Sequence, residues 1–415
     1  MNNTIKLAVA SALLAAASSA NAGIMIPAGD WTLDIGGVVN AYYSYNKGES
    51  ALNNASAAAG ALTYGSNAAG EDVRTTITTG LLPNYLSVSG KTRQNDLDVG
   101  FTISINPGAS TTQSAIQSAN QENRQAFVTF GDASWGSVKL GKDLGIYASD
   151  AILNDMTLLG VGSGAGILAG NTTTLGRIGT GFMYADWKSQ IAYSSPNWNG
   201  FSFTAGVTQA WNATNAGYDL DNPFLSATNS ARGGSNPAFE GKASYAWAGD
   251  FAGKVWVSGI SQKLEGLSTG VVGVTTSDTA NAWDIGATVN VAGFGLTAYY
   301  GQGEGTGTTV QFRDGYSENG QARDSDDWYV QATYTLPGVG TKLGASYGES
   351  TLEGNGATDT GLGNSEYSNT MWTLGAYHPL TKHLNLVAEY SDVKTEIGSA
   401  DGKSKTVSLG AILFF

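Results

Sequence analysis

Along Trp328, Val330, Ala332, Tyr334 and Leu336 an apolar side chain falls at every second position, with Asp327, Tyr329, Gln331, Thr333 and Thr335 between them. The same alternation sets Trp283, Ile285, Ala287, Val289 and Val291 against Asp284, Gly286, Thr288 and Asn290. It recurs with Phe201, Phe203, Ala205 and Val207 against Ser202, Thr204, Gly206 and Thr208, and with Leu384, Leu386, Ala388 and Tyr390 against Asn385, Val387, Glu389 and Ser391. Strand side chains point to opposite faces with period 2, so these segments read as strands with one apolar wall and one water-facing wall. Aromatic residues gather near strand ends (Trp31, Tyr299, Tyr300, Trp328, Phe415), as two membrane interfaces require.

Connections alternate between short and long. The short ones are 92–96, 132–135, 196–199, 249–251, 291–294, 337–340 and 380–383; the long ones are 47–78, 107–122, 144–176, 212–238, 265–280, 304–325, 352–368 and 397–404. They separate sixteen strands and put both chain ends on the short-turn side. The predicted fold is all-β: a transmembrane, antiparallel, up-and-down β-barrel, wide enough at sixteen strands to enclose water.

The two ends of the chain agree with that fold. Val407, Leu409, Ala411, Leu413 and Phe415 form one apolar face of a strand that stops on its last aromatic residue. An open apolar edge invites aggregation, whereas a barrel pairs its last strand with its first; Val407, Leu409, Leu413 and Phe415 are therefore read as the assembly signal. At the other end, a weakly basic start, an apolar run from Leu7 to Ala17 and the small-x-small pattern Ala20-Asn21-Ala22 predict a signal peptide over 1–22, cleaved before Gly23. Residues 23–415 then form a single barrel domain.

Composition narrows the picture further. No segment offers the roughly 18 consecutive apolar residues of a spanning helix. Charged residues make up only 13%, glycine (57) and tyrosine (19) are abundant, and proline (8) is scarce. There is no cysteine, which excludes disulfides, thiolate metal sites and a cysteine nucleophile. Loss of Lys6 with the leader takes the formal net charge from −13 to −14, which argues against nucleic acid as a partner. Acidic residues collect at Glu304, Asp314, Glu318, Asp324, Asp326 and Asp327, read here as solvated loop positions. His378 and His383 flank a turn and are read as polar periplasmic-side residues rather than metal ligands. No phosphate loop, haem-binding pattern or Ser/His pair near the outer rim appears, so neither an enzyme nor a cofactor is expected.

The connection over 144–176 stands apart. It is the longest, and its part from Gly160 to Gly170 (GVGSGAGILAG) is small and apolar, unlike an outward loop. Around it the chain resembles the general diffusion porins of Gram-negative outer membranes. The resemblance rests on Arg124–Phe130 (RQAFVTF) with Trp135–Lys142 (WGSVKLGK), on Leu175–Gly179 (LGRIG) with Gln190–Phe201 (QIAYSSPNWNGF), and on the closing strand. It implies a homotrimer of sixteen-stranded barrels in the outer membrane, among its lipid and lipopolysaccharide and folded by the barrel-assembly machinery. It also implies a third loop folded into the lumen, whose acids face basic residues on the wall. Arg124 and Arg177 correspond to wall arginines, Lys142 to a position often occupied by arginine, and Asp155 to a loop acid, with Asp150 beside it. Two departures weaken that field: Thr157–Gly162 (TLLGVG) replaces the acidic loop signature, and wall positions that are basic in enterobacterial porins read Gly37 and Tyr85.

The leading expectation is a water-filled channel for passive diffusion of ions and small hydrophilic solutes. Acidic vestibule loops would give it a modest cation preference that declines as ionic strength rises. The alternatives are a solute-specific channel for sugars, organic acids or peptides, and an adhesin-like barrel presenting its loops near 212–238 and 304–325.

Overall fold

The computed structural model describes residues 23–50, 73–109, 121–163, 173–212, 236–359 and 361–415. The leader with its cleavage point, and the stretch 164–170 of the small apolar run, lie outside the described residues. The chain opens with β1 (Ile24–Ala28), β2 (Trp31–Ser50), β3 (Val73–Thr78), β4 (Tyr85–Gln94), β5 (Leu97–Pro107), β6 (Gln121–Asp132) and β7 (Gly136–Leu144). After a long connection come β8 (Trp187–Ser194), β9 (Phe201–Thr208), β10 (Ala238–Trp247), β11 (Phe251–Ser268), β12 (Thr275–Val291) and β13 (Phe294–Glu304). The last five are β14 (Asp324–Thr335), β15 (Lys342–Glu353), β16 (Glu366–Pro379), β17 (Leu384–Ile397) and β18 (Ala400–Phe414).

These eighteen strands make a closed barrel of sixteen staves. Each pairs antiparallel with its neighbour, and β18 returns to β2 from Gly402↔Ser50 to Phe414↔Val38. β3 and β4 are two pieces of one stave: both pair with β2, at Tyr42–Lys47 and Thr32–Val38 respectively. β1 turns back on β2 through Gly29 and pairs over Trp31–Ile35, on the edge that β18 occupies higher up. β1 and β18 therefore lie in line along one edge of β2, and the β18–β2 pairing closes the ring of strands.

Inside and outside follow the sequence alternation. Trp328, Val330 and Ala332 face out, as do Trp283 and Ile285 on β12 and Leu296 and Tyr300 on β13. Outward aromatics pair in two belts. One holds Trp283–Tyr300, Trp328–Tyr347 and Trp372–Tyr390, with centroids 5.7, 5.6 and 5.1 Å apart; the other, beside the short turns, holds Trp198–Phe201, Tyr245–Trp247 and Phe294–Tyr334. Tyr299, expected in a belt, belongs instead to the lumen-facing row and is buried.

Several expectations from sequence change here. The connection expected over 397–404 is a two-residue turn between β17 and β18, and that over 265–280 shrinks to 269–274, because the strands project beyond their apolar bands. Asp314 and Asp327, read as solvated loop acids, are buried. Gly37, read as a wall position facing the lumen, shares the outward parity of Val39. A side chain there would strike the Phe415 ring, with Cζ at 2.7 Å from an ideal Cβ. Gly37 also exchanges both backbone hydrogen bonds with Phe415, at 2.7 and 3.0 Å.

Candidate functional site

The described part of the connection from Gly145 to Asp186, residues 145–163 and 173–186, stays within the barrel. It carries a short helix α1 (Ser149–Leu153) and two 3-10 turns, Met156–Leu159 and Ile178–Thr180, and bonds to lumen-facing residues around most of the wall. Two glutamates hold it. Oε2 of Glu240 on β10 accepts the Ile146 and Tyr147 amides at 2.8 and 2.9 Å; Oε2 of Glu389 on β17 accepts those of Val161 and Gly162, both at 2.8 Å. β10 and β17 lie seven staves apart in the ring of sixteen, almost opposite each other, so the segment crosses the lumen. A side chain at Gly160 would collide with the Glu389 carboxylate, which accounts for glycine there.

Between those clamps the wall meets the segment's backbone with side chains. The Tyr329 hydroxyl donates to Ala151 O (2.8 Å); Gln331 accepts the Met156 amide (2.9 Å) and donates to Asn154 O (2.6 Å). On the far side, the break between β3 and β4 receives the segment: the Leu81 and Leu82 amides donate to Gly160 O and Leu158 O. The break is kept open by Asn40, whose side chain bonds Leu82 O and the Gly80 amide in place of the ladder. An apolar cluster of Ala151, Ile152, Ile178 and Phe182 against Trp256 and Tyr329 fills the space behind the segment. Buried backbone groups paired with wall side chains in this way fix the path of the segment.

The structure separates the residues expected to make the eyelet. Asp150 on α1 lies between Lys242 of β10 (3.0 Å) and Lys254 of β11, and Lys242 also donates to Ser149 Oγ (2.8 Å). Burial raises the Asp150 carboxyl, but the two lysines outweigh it and hold the group below its ordinary value. The lysine side chains remain 24% and 28% exposed, so this triad meets the water path. Asp155 does not: it caps the first 3-10 turn, accepting the Thr157 amide (2.9 Å) and hydroxyl (2.5 Å), and its carboxyl is pushed up by burial against the pull of Arg177.

Arg177 stands on the inward segment, not the wall. Fully buried, it donates to Met371 O (3.1 Å) and lies over the Tyr329 ring, and burial lowers its pKa. Arg124 is on the wall, bonded to Glu122 (2.6 Å) and to Thr173 of the segment (3.0 Å). Lys142 pairs in register with Ala126 and Ser189, in the outward rows of Val128 and Ile191, so alternation turns it from the lumen. Tyr85 packs beside Val38 and Tyr42, inside the barrel. His378 is bonded to Thr341 across the neighbouring strand at 2.9 Å.

Lys242, Lys254, Glu240, Glu389 and Gln331 were not singled out by sequence. The available signal was parity: each is polar or charged at a water-facing position of a strand in a chain with few charges. What parity cannot give is which strands the segment reaches, since the partners lie about 90 to 230 positions away. The break near Leu81 had a local signal in Gly80 and Pro83, which interrupt a strand pattern.

With this geometry in hand, comparison with known proteins gives the following. The family model described as Gram-negative porin matches residues 8–398. No curated protein matches the sequence. Among solved structures, the outer membrane channel DcaP of Acinetobacter baumannii is similar at 16% identity and TM-score 0.64, over 94% of this chain and 99% of that one. An anion-selective porin from Comamonas acidovorans is similar at 17% identity and TM-score 0.58, over 93% and 100%. So is OmpT of Vibrio cholerae in a trimer form, at 16% identity and TM-score 0.55, over 93% and 99%.

Proposed function

As a member of the Gram-negative porin family, the chain is an outer-membrane β-barrel channel for diffusion, and we propose that its eyelet is the gap beside the Asp150–Lys242–Lys254 triad. The observation that carries this reading is a segment clamped across the lumen with the triad's two lysines still in contact with water. Small hydrophilic solutes and ions pass between the segment and the wall, selected by width and by the charges at that level, the triad together with Asp284 of β12, which is bonded to Ser258 beside it. Arg124, Arg177, Asp155 and Lys142 contribute less, being paired, buried or turned outward. Catalysis has no part in this reading.

The outward rows near the chain ends, with Val39, Tyr43, Val407 and Leu409 all exposed, supply an apolar face for two neighbouring subunits in a homotrimer. The remaining outer face meets lipid and, at the outer rim, lipopolysaccharide, and the Phe415 strand is the element offered to the barrel-assembly machinery. Planar-bilayer recording of purified protein tests the reading. Ohmic unitary steps are expected; saturable block by one solute class would favour a solute-specific channel, and absence of current would defeat both.

A further inference from the structure

A second loop enters the same space. Residues 305–323, between β13 and β14, have the sequence length of an ordinary external loop, yet Thr306, Thr309, Phe312, Asp314 and Tyr316 are all buried. Phe312 lies in one apolar cluster with Tyr147 and Met183 of the inward segment and Ile260 and Leu264 of the wall. Backbone meets backbone as well: the Tyr184 amide donates to Thr309 O (2.8 Å) and the Thr309 amide to Gly181 O (3.2 Å). The Thr309 hydroxyl accepts the Gly181 amide (3.1 Å), and Gln311 shares the buried Lys188 ammonium with Glu240 at 2.6 and 2.5 Å.

This seating is strained and held from outside. Thr309, Phe312 and Asp314 have φ of 59°, 66° and 57°, left-handed values that non-glycine residues keep only where surrounding contacts impose them. At the loop's return, Arg323 makes a two-pronged pair with Asp359 at 2.7 and 2.6 Å, both side chains buried. Asp359 belongs to the next external loop, where it also accepts the Gly361 and Leu362 amides. A forked arginine–carboxylate pair fixes orientation as well as distance.

We propose that residues 305–323 are a second constriction loop, seated on the first by Thr309, Gln311 and Phe312 and locked in place by the positioning pair Arg323–Asp359. The channel is then narrowed by two interlocked loops. The second closes the lumen on the β11–β14 side and confines passage to the remainder. The inference rests on the reading that solutes pass an inward segment, and it assigns a size-determining role to a part of the chain which that reading leaves idle.

The test is unitary conductance together with the exclusion limit for neutral sugars in proteoliposomes, for the wild type, Phe312→Ala, Gln311→Ala, Arg323→Ala and Asp359→Asn. Heat-modifiable migration of each variant shows whether the barrel has formed. Unseating the loop should raise conductance and admit larger sugars in every variant that forms the barrel. Barrels of normal migration with wild-type conductance and exclusion limit would overturn the proposal. If Arg323→Ala fails to fold, Phe312→Ala and Gln311→Ala, which leave the ion pair intact, still decide it. A wild-type protein that conducts nothing would instead defeat the channel reading, which keeps the two failures apart.

Discussion

Gly37 and Phe415 show how one residue governs closure. The terminal ring lies over a position without a side chain, and the two residues exchange backbone bonds where β1 and β18 meet along β2. Replacing Gly37 with Leu should therefore impair barrel formation as deletion of Phe415 does. Both variants should lose heat-modifiable barrel in outer-membrane fractions, and normal levels of Gly37→Leu would count against the seam as described. A second pair of single substitutions separates two acids five residues apart. Asp150→Asn leaves Lys242 and Lys254 uncompensated beside the water path, so the reversal potential should move toward anions. Asp155→Asn keeps a side-chain oxygen for the Thr157 amide and removes a carboxylate whose burial opposes its charge, so the potential should stay within error of the wild type.

At the scale of elements, the inward segment is held by clamps rather than by its own helical content. α1 has five residues and no side-chain cap, too short to be stable alone. Glu389→Ala would orphan the Val161 and Gly162 amides, and each buried group left unpaired costs about 1–3 kcal/mol. The barrel ladder is untouched, so the expected outcome is a normally assembled barrel with noisier, larger current steps; quiet wild-type steps would show that the clamp does not hold the segment. The lock on the second loop has its own pH signature. Burial raises the Asp359 carboxyl, but the Arg323 fork and backbone donors bring it down to about 2. A depressed carboxylate stabilises above its unfolded value, and that stability is lost as pH falls through the folded one. Conductance should hold steady from neutral pH to the ordinary carboxylate range and rise only as pH approaches about 2. The Glu318 carboxylate shares the space beside Gly361 with Arg323 and Asp359.

Sixteen staves, their inside and outside, and the closing strand were legible in sequence because alternation is a local property that each strand writes for itself. Strand length was less legible: β17 and β18 carry their pairing beyond their apolar rows, and so the loop expected over 397–404 vanished. The proposed constriction was less legible. Asp150 was named and residues 160–163 of the small apolar run lie in the inward segment, but the partners Lys242 and Lys254 sit on strands reached only through the fold. Gly37 and Arg177 were misplaced for a related reason: a motif match fixes a residue's neighbours in sequence, whereas parity and the path of the loop fix which way it points. Nothing in the run from Glu304 to Asp327 distinguished a loop that folds inward from one that faces water, since its burying contacts are with Tyr147, Met183 and Lys188.

For the whole molecule, the charges divide by level. The proposed eyelet triad has one acid and two bases, with Asp284 close by, while the chain as a whole carries a formal −13, much of it toward the outer rim at Glu304, Asp324, Asp326, Glu349 and Glu366. Fields decay over roughly 10 Å at about 0.1 M salt and roughly 30 Å at about 0.01 M, so the rim acids act on the eyelet more strongly in dilute salt. Preference should accordingly move toward cations as salt is diluted, and toward anions as the rim is screened away. The most direct test of the eyelet assignment is the zero-current potential under a KCl gradient at high ionic strength, compared among the wild type, the Lys242→Gln/Lys254→Gln double variant and Lys142→Gln. The account predicts a shift toward cations in the double variant and none in Lys142→Gln; a double variant that assembles normally yet keeps the wild-type potential would contradict it.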